Sequence, residues 1–519
     1  MKNKVIIYWV GLMFLLSSCQ EAFFEEEHDL GKLATNEDIR IVLNGAWEQL
    51  NSQYYWDMYI RMISRGDDFI YYYYFNGVSI TNAQSHFLDE NDPFTDPWYG
   101  NHTFRSSNPI DYQSNPVYVA SYRALASLNK VITAYEGEEI PRAAGHLIGE
   151  AYLARGYIYF VLTRFFAEIP LVTDIDVDYT VKRSSMTEVF NQIVSDLENA
   201  SMLLPDTPVA GRTGRNTLCT GTAKAVLAEV YLAMGGYPLH DEAKYALAAE
   251  IAGEVIANKD LYGYSLLPDY PDLLNYDLNE ESVFTITLDR FGIEGFGYYD
   301  GFFPEWRYYN EFPRDHRKQA CMKTFIEYNV YYPREDSRIY KIFMDVYRVP
   351  LEDGPNFIYH YDMAYKKNPV NKYWENRDLQ NPTLSLIRYA HTLLTYAESK
   401  ARSGSLDASA YEALNQVRRR ANNKPVDQPS DYDLPENLTP AQFADSVVNE
   451  RKWEFCAEPV GRWFDVLRLD LLPQIQEQRH EREIKIPGVE EYYPEGGYFT
   501  FIPEEDLLVN PALAPDTIN

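Results

Sequence analysis

The sequence predicts a mainly α-helical protein, a scaffold of paired helices carrying large irregular insertions and a few short strands. Three observations lead there. Apolar residues recur at three- and four-residue spacing through much of the chain, the period of a helix with one buried face. Along one such stretch small and large residues alternate, at Ala223, Ala225, Leu227, Ala228, Tyr231 and Leu232, which permits the close approach of tetratricopeptide-type helix pairs. Two long stretches, 52–112 and about 262–380, lose that period and fill with Tyr, Asp, Asn, Pro and Gly, the composition of irregular structure that usually carries function.

Residues 1–18 read as an export signal. Lys2 and Lys4 precede an apolar run from Val5 to Leu16, followed by Ser17 and Ser18. The run is too short to cross about 30 Å of hydrocarbon as a permanent helix. Leu16-Ser17-Ser18-Cys19 resembles a bacterial lipobox, which implies cleavage before Cys19 and acylation of its thiol. Several acyl chains on one residue anchor a soluble body stably to a membrane. Residues 19–35 then form a flexible acidic tether, and the QEAFFEEE stretch at 20–27 resembles the surface-export signal of Bacteroidetes lipoproteins.

From 36 to 519 a single domain is expected. Helices are predicted over 36–50, 117–135, 143–166, 187–203, 218–234, 242–256, 383–403, 408–420 and 439–467, which stop near Gly, Pro or Asn. Thr35 or Asn36 can cap the first. Helix 143–166 is apolar or aromatic on most faces and should be a buried central element. Val283-Phe284-Thr285-Ile286-Thr287 reads as a short strand. Tyr71 to Phe75, as a strand, would put Tyr72 and Tyr74 on one side and Tyr71, Tyr73 and Phe75 on the other.

Asp and Glu number 77 against 47 Lys and Arg, a net charge of -30; so acidic a surface repels phosphate backbones, and no nucleic-acid partner is expected. With Cys19 acylated, Cys219, Cys321 and Cys456 remain, widely spaced and odd in number, so no disulfide framework is expected. The nine histidines include no HExxH and no Cys/His cluster, and no metal or other cofactor is predicted. Asp174, Asp176 and Asp178 alternate like a calcium loop, but Tyr179 replaces the turn glycine and Ser185 the bidentate glutamate. There is no GxSxG and no GxxxxGK[ST], and Gly295-x-Gly297 lacks its third glycine.

Four groups of residues carry a family resemblance. The first is Gly149-Glu150-Ala151, Arg155, Tyr159-Phe160 and Arg164-Phe165-Phe166 before Ile169-Pro170-Leu171. The second is Arg388, Leu394, Tyr396-Ala397-Glu398, Ala401, Asn415, Arg418 and Arg420-Ala421. The third is Glu450-Arg451, Glu454-Phe455, Glu458, Gly461-Arg462, Asp465, Leu467 and Arg468, and the fourth Ile502-Pro503 and Asn510-Pro511. Together they resemble the signatures of the SusD/RagB family of outer-membrane nutrient-binding lipoproteins across nearly the whole mature chain. Pro459 and Val460 stand at the usual Glu-Gly junction and His391 near a usual glutamate, both small departures.

The resemblance implies a SusD-like fold whose insertions hold the ligand through aromatic rings. Asp96-Pro97-Trp98-Tyr99-Gly100-Asn101 is the best candidate, because sugar C–H groups pack on indole or phenol faces while an adjacent amide serves the hydroxyls. The candidate ligand-binding set is Asp67, Trp98, Tyr99, Asn101, Tyr299, Trp306, Tyr309 and Trp374. Glu450, Arg451, Glu454, Glu458, Arg462, Asp465 and Arg468 are expected to be structural ion pairs. Glutamates four apart on a helix repel unless cations intervene, and surrounding arginines, Arg388 and Arg418 among them, are expected to keep them ionised. That argues against general-acid chemistry, which needs a raised pKa. The expected function is capture of an oligosaccharide or other nutrient at the outer surface of the outer membrane, without catalysis. The resemblance implies delivery to a SusC-like TonB-dependent transporter. A surface-anchored glycan hydrolase and a protein-binding tetratricopeptide scaffold are the alternatives.

Overall fold

The computed structural model describes residues 33, 35–51, 70–75, 78–81, 114–175, 180–208, 218–270, 273, 278–287, 319–323, 336, 338, 343–344, 347–349, 358–360, 364–365, 383–456, 458, 461–471, 473–474, 499 and 502–514. Its helices in chain order are α1 (Asn36–Asn51), α2 (Ser114–Ile132), α3 (Arg142–Phe166), α4 (Met186–Leu203), α5 (Thr220–Met234), α6 (Lys244–Ala257), the single turn α7 (Lys259–Tyr262), α8 (Tyr389–Arg402), α9 (Ala408–Ala421), α10 (Pro440–Glu454), α11 (Arg462–Arg468) and α12 (Glu504–Val509). Neighbours in sequence are neighbours in space. α1 packs on α2, α2 on α3, α3 on α4, α4 on α5 and α5 on α6, and α6 then meets α8, which carries α9 and α10. Such an array grows one helix at a time and buries a continuous core along its length.

α3 is the central element expected from its composition. Leu147, Ala151, Ile158, Tyr159, Val161 and Leu162 are all sealed from solvent, and from Leu147 to Phe166 Tyr152 alone is partly open. Two glycines let α4 lie against it. A Cβ on Gly149 would stand 3.0 Å from both the Leu203 Cβ and the Leu204 backbone nitrogen, and one on Gly156 3.2 Å from Leu197 Cγ. α4 begins in a capping box, in which the Ser185 hydroxyl accepts from the Glu188 backbone and the Glu188 carboxylate accepts from the Ser185 N–H at 2.8 Å.

Two predicted helices differ from the structure. Residues 383–403 are not all helical: Thr383–Arg388 is strand β11, antiparallel to β5 (Ser282–Thr287) with Leu384 opposite Ile286. Leu384 and Leu386 have the period of two, and β5 needs a partner for its backbone groups, so pairing overrides helical propensity. The predicted helix 439–467 is two. α10 ends at Glu454 and α11 restarts at Arg462. Pro459 lacks the N–H a helix requires. A Cβ on Gly461 would come 2.6 Å from the Phe455 carbonyl, a close backbone approach open only to glycine.

The short strands lie largely in the two insertions. β1 (Ile70–Phe75) is the middle of a three-stranded antiparallel sheet, between β2 (Val78–Thr81) and β6 (Gln319–Lys323). Tyr72 stands opposite Cys321, and Ile70 opposite Lys323. The first insertion is thereby hydrogen-bonded to the second. Two small antiparallel pairs, β7 (Phe343–Met344) with β10 (Ala364–Tyr365) and β8 (Tyr347–Val349) with β9 (Ile358–His360), lie within the second insertion. Ile169–Pro170 and Arg183–Ser184, β3 and β4, pair after α3.

Cys219 and Cys456 are both buried. Asp174 is exposed and Asp176 and Asp178 lie outside the described residues; among the described residues no group of His, Cys, Asp and Glu is arranged to hold a metal ion. No described helix is long and apolar enough to cross a membrane.

Candidate functional site

Cys19 and the candidate ligand residues Asp67, Trp98, Tyr99, Asn101, Tyr299, Trp306, Tyr309 and Trp374 lie outside the described residues. The described residues form the frame that carries the insertions, and its most polar part is an ion cluster around α10. The four-residue spacing of Glu450, Glu454 and Glu458 would set like charges against one another. Arginines from three other segments separate them.

Arg388, at the end of β11, reaches Glu458 from Nε at 3.0 Å and from Nη2 at 2.7 Å, reaches Glu454 from Nη2 at 3.0 Å, and donates from Nη1 to Glu281. Arg420 of α9 donates to Glu281 at 2.8 Å and to Glu454 at 2.6 Å. Arg338, from the second insertion, lies 2.8 Å from Glu450 and 3.0 Å from Glu454. Each of these guanidinium groups is at most 5% exposed. Burial alone would discharge them, but the surrounding carboxylates hold all three arginines above their ordinary pKa. The His391 ring stacks on Phe455 at 3.6 Å and its Nδ1 accepts from the Arg388 backbone, which fixes the turn from β11 into α8.

Glu450 is a carboxylate of α10 on which burial outweighs the arginines. Its Oε1 is close to Arg338 but out of line for a hydrogen bond, and Arg418 donates to its Oε2 only at 3.3 Å. Burial therefore prevails and raises its pKa. A raised carboxyl is a general acid only if substrate can reach it, and Glu450 is 1% exposed.

A second cluster lies on the other side of α10. Arg468 holds Glu398 bidentately, both bonds 2.7 Å, and Arg402 adds a third at 2.7 Å. Arg451 and Arg468 share Asp465 at 3.0 and 2.7 Å. Arg451 also faces Glu229 of α5 at 3.3 Å. Arg462 is buried at the start of α11. Beside this cluster the Arg164 guanidinium is sandwiched between the rings of Phe160 and Phe464, 3.5 and 3.3 Å from their centroids. The recess that Arg164, Glu229, Arg451, Asp465 and Arg468 help to line has a volume of about 20 Å³, room for about one water and none for a sugar ring.

The first group of signature residues is structural too. Glu150 accepts from Trp47 Nε1 at 2.8 Å and pairs with Arg40 at 3.1 Å, tying α3 to α1. Arg155 grips Asp196 of α4 through bonds of 2.9 and 2.7 Å and reaches Asn129 of α2 at 3.0 Å. Sequence reasoning missed Glu281, Asp336, Arg338 and Glu229. Glu398 and Arg420 stand inside quoted motifs, but Arg338 meets Glu454 across 116 positions and carries no local signal.

The matches to known proteins cover both insertions and both ends of the helical array. Residues 76–232 match a family model described as "Starch-binding associating with outer membrane", and residues 300–499 match the model of the SusD family. The SusD-like protein P2 of Formosa agariphila is 23% identical over 518 residues, covering 90% of this chain and 91% of the relative. Among solved structures, a SusD superfamily protein from Parabacteroides distasonis superposes with a TM-score of 0.68 at 18% identity, covering 94% of this chain and all of the other. A laminarin-binding SusD-like protein superposes with a TM-score of 0.59 at 18% identity, over 92% and 99% of the two chains. At such identities the superpositions establish the fold. Taken with the two model matches and the buried Glu150, Arg155, Arg388 and Glu454 that the signatures share, they identify this chain as a member of the SusD/RagB family.

Proposed function

We propose that this chain is a lipid-anchored glycan-binding protein on the outer face of the outer membrane, which hands an oligosaccharide to a SusC-like TonB-dependent transporter and performs no chemistry on it. The observation that carries this reading is the β1–β6 pairing. It ties the two insertions to each other, and the family-model matches at 76–232 and 300–499 each take in part of one insertion, the first under a description that names starch binding and the outer membrane. A ligand held between two tethered irregular segments has the extended, aromatic-lined surface that a glycan chain needs. The recess beside Arg164 is too small for a sugar ring, and Glu450 and Glu454 of α10 are sealed.

The ligand residues proposed are Trp98, Tyr99 and Asn101 from the first insertion, with Asp67, and Tyr299, Trp306, Tyr309 and Trp374 from the second. Anchoring through Cys19 and folding of 36–519 as one unit belong to the same reading. Laminarin, the ligand named for one structural neighbour, and a maltooligosaccharide are the first probes. Calorimetric titration of the purified chain should give binding to at least one of them. Trp98→Ala and Trp306→Ala should weaken it about tenfold or more, the loss of about 1–2 kcal/mol of stacking apiece, with unchanged circular dichroism. Unaltered isotherms for both variants would refute the site, and release of reducing ends from either glucan would refute the absence of catalysis.

A further inference from the structure

Between 288 and 380 of the second insertion, Asp336 and Arg338 are the residues whose side chains are described, and both are buried in the scaffold. Arg338 donates to Asp336 from its backbone N–H at 2.9 Å, from Nε at 3.0 Å and from Nη2 at 2.6 Å. The pair therefore closes a turn in which the guanidinium is held rigid by its own neighbour and only Nη1 points onward. That nitrogen meets Glu450 at 2.8 Å and Glu454 at 3.0 Å. Arg338 is 1% exposed and Asp336 5%.

We propose that the Asp336–Arg338 turn is a positioning element that seats the second insertion on α10, by supplying the buried counter-charge that Glu450 otherwise lacks and sharing Glu454 with Arg388 and Arg420. The insertion and the scaffold are thus joined by charge compensation between segments more than a hundred positions apart. Without Arg338, Glu450 keeps only the distant, half-open Arg418 while facing Glu454 four residues on. Without α10, Arg338 has only Asp336. Neither residue of the turn is a ligand contact; glycan affinity depends on them because they locate the segment bearing Tyr299, Trp306, Tyr309 and Trp374, a consequence that rests on the function proposed above.

The groups facing Glu450 are Arg338 and Asp336 from the insertion, Arg418 from α9 and Glu454 on its own helix. Removing the first leaves a buried carboxylate that must take up a proton. The test is amide hydrogen exchange at neutral pH on the full folded chain. Arg338→Met should lower protection of peptides spanning 336–338 by tenfold or more while α3 keeps wild-type protection. Adding Glu450→Gln should restore most of that protection, because the carboxylate left with Arg418 is then neutral and Glu454 keeps Arg388 and Arg420; both variants carry Asp336→Asn, so that Asp336 is not stranded in its turn. Laminarin or maltooligosaccharide affinity should fall and recover in parallel. Wild-type protection at 336–338 in R338M overturns the proposal, as does a loss that E450Q does not restore, which would mark simple loss of packing. If R338M without E450Q does not fold, the variant with E450Q decides: folding with protection at 336–338 supports the proposal, and failure to fold overturns it. If the wild-type chain binds neither glucan, the proposed function fails while the exchange result still judges the turn.

Discussion

Arg388 Nη2 and Glu454 Oε1 lie 3.0 Å apart, with Arg388 4% exposed and Glu454 fully sealed, and this contact joins the β5–β11 sheet to α10. The same guanidinium also serves Glu281 and Glu458. Three carboxylates from different segments therefore converge on one side chain.

Loss of that side chain should be severe. A buried ion pair replaced as a whole can be neutral, but one broken from a single side strands its partner and costs about 3–5 kcal/mol. Arg388→Met takes a partner from three buried carboxylates: Arg420 is left to serve Glu281 and Glu454, and Glu458 loses both bonds from Arg388. The expected result is a loss in the upper part of that range, read from urea denaturation. A variant within about 1 kcal/mol of wild type would show that the cluster contributes little.

Glu398 gives the protein an acid-sensitive joint. Its burial raises the pKa, but Arg468 and Arg402, with Arg451 further off, more than reverse this and hold it at about 2, below the ordinary 4.5. The folded form thus binds the proton less readily than the unfolded chain. The stabilisation is fully present above pH 4.5 and drains away as the pH falls toward 2, by about 3 kcal/mol in all. Glu398→Gln cannot lose what it lacks. The stability gap between wild type and E398Q should be widest near neutrality and narrow steadily below pH 4.5 in urea titrations. A gap that stays constant with pH would contradict the assignment.

The helical array was legible because most of its helices bury one stripe and α3 is apolar on nearly every side, patterns that survive whatever the neighbours are. The ion clusters were half legible. Glu450, Glu454 and Glu458 announce a need for cations by their spacing, but which arginine answers each is a matter of folding topology, so Arg338 could not be found from its surroundings in sequence. The misread 383–388 shows the same limit: Leu384-Ser385-Leu386-Ile387 suits either period until β5 is seen to need a partner. Trp98 and Trp306 stand where composition marks loops, and composition names residue types without naming a geometry.

The α3–α4 contact allows a comparison between two glycines one turn apart on the same helix. In an exposed helix interior, glycine to alanine gains roughly 1 kcal/mol from backbone entropy. At Gly145 the added methyl would meet the Leu203 carbonyl at 3.8 Å, ordinary contact, so Gly145→Ala should raise stability by about 0.5–1 kcal/mol. At Gly149 it would press at 3.0 Å on the Leu204 backbone nitrogen as well as the Leu203 side chain. Backbone cannot rotate away, and overpacking of this kind costs about 1–3 kcal/mol, which outweighs the propensity gain. Gly149→Ala should therefore be net destabilising or at best neutral, and the two variants should move the thermal midpoint in opposite directions. Equal stabilisation by both would mean that the end of α4 yields freely, and that the close approach at Gly149 does not fix the helix pair.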